Sequence, residues 1–189
     1  MLYRSLAMLL QAWLVLGSEL LARQAHHDAP PVRAVLGILA LWSAPLLLAP
    51  PMFSRDAYSY YVQGRVYGLG YDPTTTGIDV VPGWFDDGAD PMWVESPTPY
   101  GPVFLLIERG IAGFAHPNGY LAALLFRGVA LVGVALLAVY LPRLARMHGI
   151  DADRALWLGV LNPVVLMHFI SGAHNDRSEE HTSELQSRL

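Results

Sequence analysis

The sequence predicts an all-α membrane protein in which multispanning helices frame one long outer loop that carries short interfacial helices. Of its 189 residues, 53% are hydrophobic and 15% are charged, whereas charged residues make up about a quarter of an average soluble domain. The deficit of charge lies in long apolar runs, which is typical of membrane helices. One stretch, residues 52–102, lacks such runs and is rich in acidic, aromatic, proline and glycine residues.

Composition also excludes several classes of function. The formal net charge is −4, and no cluster of lysine and arginine forms the basic patch that nucleic acid requires. Cysteine is absent, which excludes disulfides, thiolate metal sites and cysteine nucleophiles.

The first two apolar runs are predicted to be membrane helices. Residues 6–21 form the first, and Glu19 near its end reaches the interface. The hydrophobic core of a signal peptide is an alternative, which we disfavour because no small-residue cleavage site follows. Residues 24–31 form a polar turn, and Val32–Leu48 form the second helix, in which Pro45 is the point where a kink is expected.

The long acidic loop and the segment after it are predicted to stay at the membrane surface. Within the loop, residues 58–67 suit one short amphipathic helix that lies in the interface with its aromatic side down. Residues 103–115 are apolar but contain Glu108 and Arg109, and each charge would cost a few kcal/mol in lipid. We therefore expect an interfacial or re-entrant helix here rather than a span.

Two further spans are predicted over residues 121–141 and 156–170, the latter with Pro163 in its middle. The loop between them, residues 142–154, is rich in arginine, and Arg23 follows the first span. Both loops should be cytoplasmic by the positive-inside rule. The acidic loop and the segment that follows the last span then share the outer face.

The stretch FSRDAYSYYVQG, residues 53–64, follows the second helix directly and holds the candidate catalytic residue, Asp56. A carboxyl group partly withdrawn from water has a raised pKa, which suits a general base for a hydroxyl nucleophile. Two structural alternatives remain open. The Asp56 carboxylate is also a favoured helix N-cap, and the adjacent Arg55 is a natural salt-bridge partner.

The other candidate site residues offer groups that bind sugars or phosphates. Aromatic rings stack on sugars or seat at the interface, and guanidinium groups match phosphate geometry. The segment GAHND, residues 172–176, contributes donors, although it also suits a helix end, and the PTPYGP turn most simply forms a rigid entry to the next helix. The predicted substrate-binding residues are Arg55, Tyr58, Arg65, Tyr100, His174, Asn175 and Asp176.

No cofactor is assigned from the sequence. His174 and Asp176 stand two positions apart, which alone is weak evidence for a metal site. No metal ligand is therefore predicted, and a requirement for a divalent ion stays open.

Four stretches of the sequence resemble a known family: FSRDAYSYYVQGR, DPMWVESPTPYGPVFLL, LPRLARMHGID and RALWLGVLNPVVLMHFISGAHND. They are similar to the actinobacterial polyprenol-phosphomannose-dependent α-1,6-mannosyltransferases, which belong to the multispanning C-type glycosyltransferase superfamily. The similarity covers residues 36–176. It implies a polyprenyl-phosphate-mannose donor, an acceptor mannan on a phosphatidylinositol anchor, an inverting displacement, and Asp56 of FSRD as the catalytic base.

The resemblance also implies a longer protein, because family members have many more spans. Residues 1–176 are expected to be the N-terminal part of such a membrane domain, which retains the base yet can be inactive alone. Residues 177–189 resemble the in-frame translation of a sequencing adapter from position 177 to 187, and we expect them to be disordered. The alternative is a genuine polar tail.

The expected setting is a multi-pass protein of the cell membrane with its site on the outer face. Its expected partners are the lipid-linked donor, the anchored mannan and membrane lipid, and no nucleic acid. Two other functions remain open. One is a related transferase that moves another sugar, such as arabinose, from polyprenyl phosphate. The other is a non-catalytic lipid-binding or transport component in which Asp56 and Arg55 are a structural pair.

Overall fold

The structure is a computed structural model that describes residues 2–25, 32–52 and 54–173. All regular secondary structure in these ranges is helical, which confirms the predicted all-α class. The helices are α1 (Leu2–Ala25), α2 (Val32–Leu48), α3 (Asp56–Gly68), α4 (Pro102–Ala115), α5 (Gly119–Met147), α6 (Ala152–Gly159) and α7 (Pro163–Val165), which continues as a π-helical turn, Leu166–Ser171.

The chain divides into two compact units. The bundle unit comprises Met1–Pro50 and Arg127–Ser171, and the loop unit comprises Pro51–Phe126 and Gly172–Leu189. The bundle unit thus holds the apolar helices on either side of the long loop. The loop unit holds α3, α4 and most of the acidic, aromatic segment.

Among the described residues, two helices are long and apolar enough to cross a membrane. These are Tyr3–Arg23 within α1 and Gly119–Met147, with mean hydropathies of 1.6 and 2.3 over their most apolar windows. Helices of sufficient length and hydropathy are therefore observed at the predicted first and third spans, and both are longer than predicted. The second predicted helix is observed with its predicted bounds, and its 17 residues make it shorter than these two.

The predicted fourth span, residues 156–170, is not one straight helix. Helix α6 ends at Gly159, α7 begins at Pro163, and the two axes differ by 47°. Proline has no N–H to continue a helix but suits a first position, and Asn162 caps the new helix by accepting a hydrogen bond from the Val164 amide at 2.9 Å. Counted as one bent span, this pair is a third membrane-crossing candidate.

Two tryptophans join α1 to α6 inside the bundle unit. The indole of Trp13 donates to the Trp157 carbonyl at 3.0 Å, and the indole of Trp157 donates to the Trp13 carbonyl at 2.9 Å. The rings stack at a centroid distance of 4.7 Å. A β-carbon on Gly17 would lie 2.1 Å from the Trp157 ring, so glycine leaves the space that this ring fills.

Helix α3 is the buried core of the loop unit. Eight of its residues are buried, on all sides of the helix, and α4 and the acidic loop enclose it. The prediction of an amphipathic surface helix over residues 58–67 is therefore correct about helicity and wrong about burial. The closest approach is at Gly64, where an added β-carbon would lie 2.2 Å from the Glu108 carbonyl oxygen of α4.

Helix α4 has 14 residues, which at about 1.5 Å per residue is shorter than the ~30 Å of hydrocarbon in a bilayer. Pro102 occupies its first turn, as is common for proline. This length agrees with the prediction of a helix that does not span.

Candidate functional site

Asp56 is the first residue of α3, and Arg55 is the N-cap. The Asp56 amide donates to the Ser54 hydroxyl at 2.9 Å, and the Arg55 carbonyl accepts from the amides of Tyr58 and Ser59. Asp56 is half-buried, whereas Arg55 is exposed. Asp56 is thus not the N-cap, and its negative charge lies where the positive end of the helix dipole favours it.

Tyr60 follows Asp56 by one helical turn, on the same face of α3. The ring of Tyr100 meets the ring of Tyr60 edge to face at a centroid distance of 5.3 Å, and the two hydroxyl oxygens are 3.5 Å apart. Next to them, the Thr98 hydroxyl donates to the Gln63 side-chain oxygen at 3.4 Å. The PTPYGP turn therefore packs along the face of α3 that begins at Asp56.

Tyr58 is held between two glycines. A β-carbon on Gly88 would lie 3.2 Å from Cγ of Tyr58, and one on Gly119 would lie 3.6 Å from its Cδ1. Gly88 has a φ of +91°, a conformation that glycine adopts without strain. The Tyr58 ring is thus half-buried against the acidic loop and the start of α5.

Arg65 lies on the opposite side of α3 from Asp56. At about 100° per residue, nine positions amount to half a turn beyond two full turns. Its guanidinium forms an ion pair with Asp87 and donates to the Pro82 carbonyl at 3.3 Å. A phosphate at Arg65 would compete with Asp87.

A second polar contact lies near Arg65. The Tyr61 hydroxyl and Nδ1 of His116 are hydrogen-bonded at 3.0 Å. Burial raises the pKa of Tyr61, the charge of Asp87 raises it further, and Arg65 lowers it. This hydrogen bond joins α3 to His116, which follows the end of α4. Neither partner is a predicted site residue, and Arg65 acts on it only through its charge.

His174, Asn175 and Asp176 lie outside the described residues. The last described residue before them, Ala173, is buried in the same apolar core as Ala57, which directly follows Asp56. Ala173 has a φ of +53°, in the left-handed region that alanine rarely adopts. Up to Ala173, the chain therefore belongs to the apolar core of the loop unit.

The described part of the chain contains no group of three or more histidine, aspartate or glutamate side chains placed to hold a metal. His174 and Asp176 lie outside that part of the chain. A divalent ion at that segment stays an open question.

Two buried charged residues were not among the predicted site residues. Both oxygens of Glu108 lack a hydrogen-bond partner among the described residues, and burial raises its pKa to about 9. Arg127 is fully buried and donates to main-chain carbonyls of Leu47, Ala49 and Ser171. In the sequence, both residues can be recognised as charges inside apolar runs. Such charges are costly unless they are paired or neutralised.

Comparison with known proteins gives one consistent result. A family model described as alpha-(1->6)-mannopyranosyltransferase, N-terminal domain, matches residues 1–178. A probable alpha-(1->6)-mannopyranosyltransferase of Mycolicibacterium smegmatis is 42% identical over 175 residues, 89% of this chain and 30% of the relative. Alpha-(1->6)-mannopyranosyltransferase A of Mycobacterium tuberculosis is 38% identical over 176 residues, 93% of this chain and 33% of the relative.

A relative from a third genus agrees with these. Alpha-(1->6)-mannopyranosyltransferase A of Corynebacterium glutamicum is 35% identical over 172 residues, 89% of this chain and 35% of the relative. No solved structure matches the chain significantly. The chain spans about a third of the length of these relatives. It belongs to the alpha-(1->6)-mannopyranosyltransferase family and corresponds to the N-terminal domain of that family.

Proposed function

We propose that this protein transfers mannose from polyprenyl-phosphate-mannose to a phosphatidylinositol-anchored mannan, forming α-1,6 linkages with inversion. Its family membership supports mannosyl transfer. The observation that carries the site assignment is the half-buried Asp56 at the first position of α3, on the face against which Tyr100 packs.

In the proposed mechanism, Asp56 acts as the general base. Its carboxylate takes the proton from an acceptor hydroxyl, and the freed oxygen forms a bond to the anomeric carbon of the donor mannose. The bond from that carbon to the phosphate oxygen breaks on the opposite face, and polyprenyl phosphate leaves with the electron pair. A β-linked donor thereby becomes an α-linked product. General-base catalysis of this kind contributes about 10²–10⁴ to the rate.

The remaining residues are assigned to binding. The exposure of Arg55 beside Asp56 supports its assignment to the leaving phosphate, and His174 and Asn175 are the further donors that we propose for this phosphate. Tyr100, which packs on the Asp56 face of α3, presents its ring to the sugars, and Asp176 accepts from sugar hydroxyls. Tyr58 lies about 200° around α3 from Asp56, so we assign its ring to packing against Gly88 and Gly119. We assign Arg65 to holding the acidic loop through Asp87, because that ion pair occupies its guanidinium.

We propose a multi-pass arrangement in the cell membrane with the site on the outer face. The long apolar helices and the arginine-rich loop between α5 and α6 support it. A donor carried on a polyprenyl lipid would then reach Asp56 at the membrane surface. No nucleotide is needed, and membrane lipid is the expected surrounding of both substrates.

The test is Asp56→Asn in the full-length protein, assayed in membranes with synthetic polyprenyl-phosphate-mannose and a lipid-anchored mannan acceptor. We expect kcat to fall about 10²–10⁴-fold with unchanged protein levels, because the amide cannot take a proton. The matched control is Asp86→Asn, the same change at an exposed position of the same loop, which should keep full activity.

The other outcomes discriminate the alternatives. Transfer by Asp56→Asn at the unsubstituted rate would reject Asp56 as the base. A parallel assay uses polyprenyl-phosphate-arabinose as the donor. If linkage analysis of the product shows arabinose in place of mannose, the protein is a transferase of that other sugar. No transfer by the unsubstituted protein with either donor would favour the non-catalytic membrane component.

A further inference from the structure

Arg127 is a charged side chain buried inside the longest apolar helix. It lies in the third turn of α5 and has no exposed surface. Nε and Nη2 donate to the Ser171 carbonyl at 3.1 and 2.8 Å, and Nη1 donates to the Leu47 carbonyl at 2.7 Å and to the Ala49 carbonyl. One guanidinium therefore joins two chain segments that are more than 120 residues apart in sequence.

The acceptors of Arg127 are the ends of two helices. Leu47 is in the last turn of α2 and Ala49 follows its end, while Ser171 is the final residue of the π-helical turn after α7. Carbonyls in a final turn have no partner within their own helix, and the negative end of the helix dipole favours a cation there. The arginine thus satisfies the carboxyl ends of two helices at once.

Both helix ends lead directly into segments that carry candidate site residues. After Ala49, the chain runs through Pro50 and Pro51 to Asp56, and after Ser171 it reaches His174 in three residues. The carbonyls that Arg127 binds are therefore the starting points of the two segments that carry the proposed base and the proposed phosphate donors.

We propose that Arg127 is a positioning residue for mannosyl transfer, which binds the carboxyl ends of two helices and so sets where the segment that carries Asp56 begins. This inference rests on the proposed function. Arg127 acts through this segment and needs no contact with substrate. Planar guanidinium geometry suits the task, because its fixed fork of donors reaches several carbonyls that a single ammonium group cannot hold together.

The first test measures hydrogen–deuterium exchange of the whole chain in detergent micelles by mass spectrometry. A hydrogen bond to a charged group contributes to stability, so its loss in Arg127→Met should speed exchange about tenfold in peptides covering residues 49–57 and 171–173. Peptides from α1 and α4 should keep their protection. Arg127→Lys should give an intermediate rate, and Arg143→Met, which removes an exposed arginine of the same helix, should change neither segment.

The second test measures transfer by the full-length protein. Arg127→Met should lower kcat about a hundredfold, because small misplacements of catalytic groups cost this much, and should change the KM for acceptor less than about threefold. Arg127→Lys should recover part of kcat. Asp56→Asn should lower kcat about 10²–10⁴-fold while leaving exchange of both segments unchanged, so a failure of the proposed function is distinguished from a failure of this inference.

Two results would overturn the positioning role. One is unchanged exchange in both segments of Arg127→Met. The other is exchange that accelerates equally in every helix, which would make Arg127 a general stabiliser. If Arg127→Met does not accumulate in membranes, Arg127→Lys decides: a kcat and exchange rates equal to those of the unsubstituted protein would reject the inference.

Discussion

At position 108 a carboxyl group is buried in the loop unit without a hydrogen-bond partner among the described residues. Burial raises the pKa of Glu108 to about 9, so the group is protonated at neutral pH. Asp56 contrasts with it in being half-exposed at a helix N-terminus, where negative charge is favoured. The two acidic side chains of neighbouring helices thus differ in environment: Glu108 is fully buried, whereas the Asp56 carboxyl is partly exposed.

Glu108 should make the stability of the protein depend on pH. Between its ordinary value of 4.5 and about 9, the folded protein keeps a proton that the unfolded chain releases. The free energy of unfolding therefore falls as the pH rises through this window, and the stabilisation is complete only below 4.5. In Glu108→Gln this dependence should disappear. The melting temperature of the variant should therefore gain roughly 10 °C on the unsubstituted protein between pH 6 and pH 9.

The measurement is thermal unfolding in detergent at several pH values. Glu95→Gln, the same change at an exposed residue, is the control and should follow the unsubstituted protein. If the melting temperatures of Glu108→Gln and of the unsubstituted protein change with pH in the same way, the prediction that Glu108 holds a proton is wrong.

Among the helices, α3 and α4 show the closest packing of the loop unit. Gly64 lets the two backbones approach, because any β-carbon there would overlap the Glu108 carbonyl. The contact also brings Arg109 over the ring of Tyr67 at 4.8 Å, a cation–π geometry. The orientation of α3, and with it of Asp56, depends on this close approach.

Gly64→Ala should force the two helices apart. Overpacking of this kind costs about 1–3 kcal/mol, and we expect the free energy of unfolding to fall by that amount and transfer activity to fall with it. Gly68→Ala is the matched control in the same helix, because nothing lies within 4 Å of its added β-carbon. Chemical unfolding followed by tryptophan fluorescence checks the prediction, and equal midpoints for the two variants would contradict it.

The length of the whole chain bears on whether its candidate site is complete. The chain spans about a third of its relatives, and residues 177–189 resemble translated adapter sequence. We therefore propose that residues 1–176 are the N-terminal part of a larger membrane domain, whose remaining helices complete the site. The exposed apolar side chains of α5 are surfaces that lipid or further helices would cover.

This proposal predicts that the reading frame continues past Asp176 into further apolar helices. The measurement is to sequence the source DNA across the junction between positions 176 and 177. We expect the DNA sequence after the codon for Asp176 to differ from the adapter-like sequence and to encode new membrane spans. A frame that ends as written would contradict the prediction and would remove the support for catalysis by this chain.

Several features of the fold followed from the sequence because they depend on local hydropathy. Val32–Leu48 has its predicted bounds, and α1 and α5 contain their predicted spans. The start of α4 at Pro102 follows because proline is common at the first position of a helix. One expectation was wrong, the surface position of α3, and the predicted span over residues 156–170 is observed as two helices with a 47° bend before Pro163. Burial of α3 depends on partners distant in sequence, and a proline inside an apolar run permits either a kink or a new helix.

For the site, the sequence by itself determined the candidate base, the aromatic residues around it and the resemblance to a mannosyltransferase family. These depend on which residue types follow one another within short stretches of the chain. Only the tertiary structure decided that Tyr100 packs on the Asp56 face of α3 and that Arg65 pairs with Asp87 on the other side. It also decided that Arg127 binds the ends of two distant helices. Hydrogen bonds and ring contacts between distant segments depend on how the helices pack, and no local pattern of residues specifies that packing.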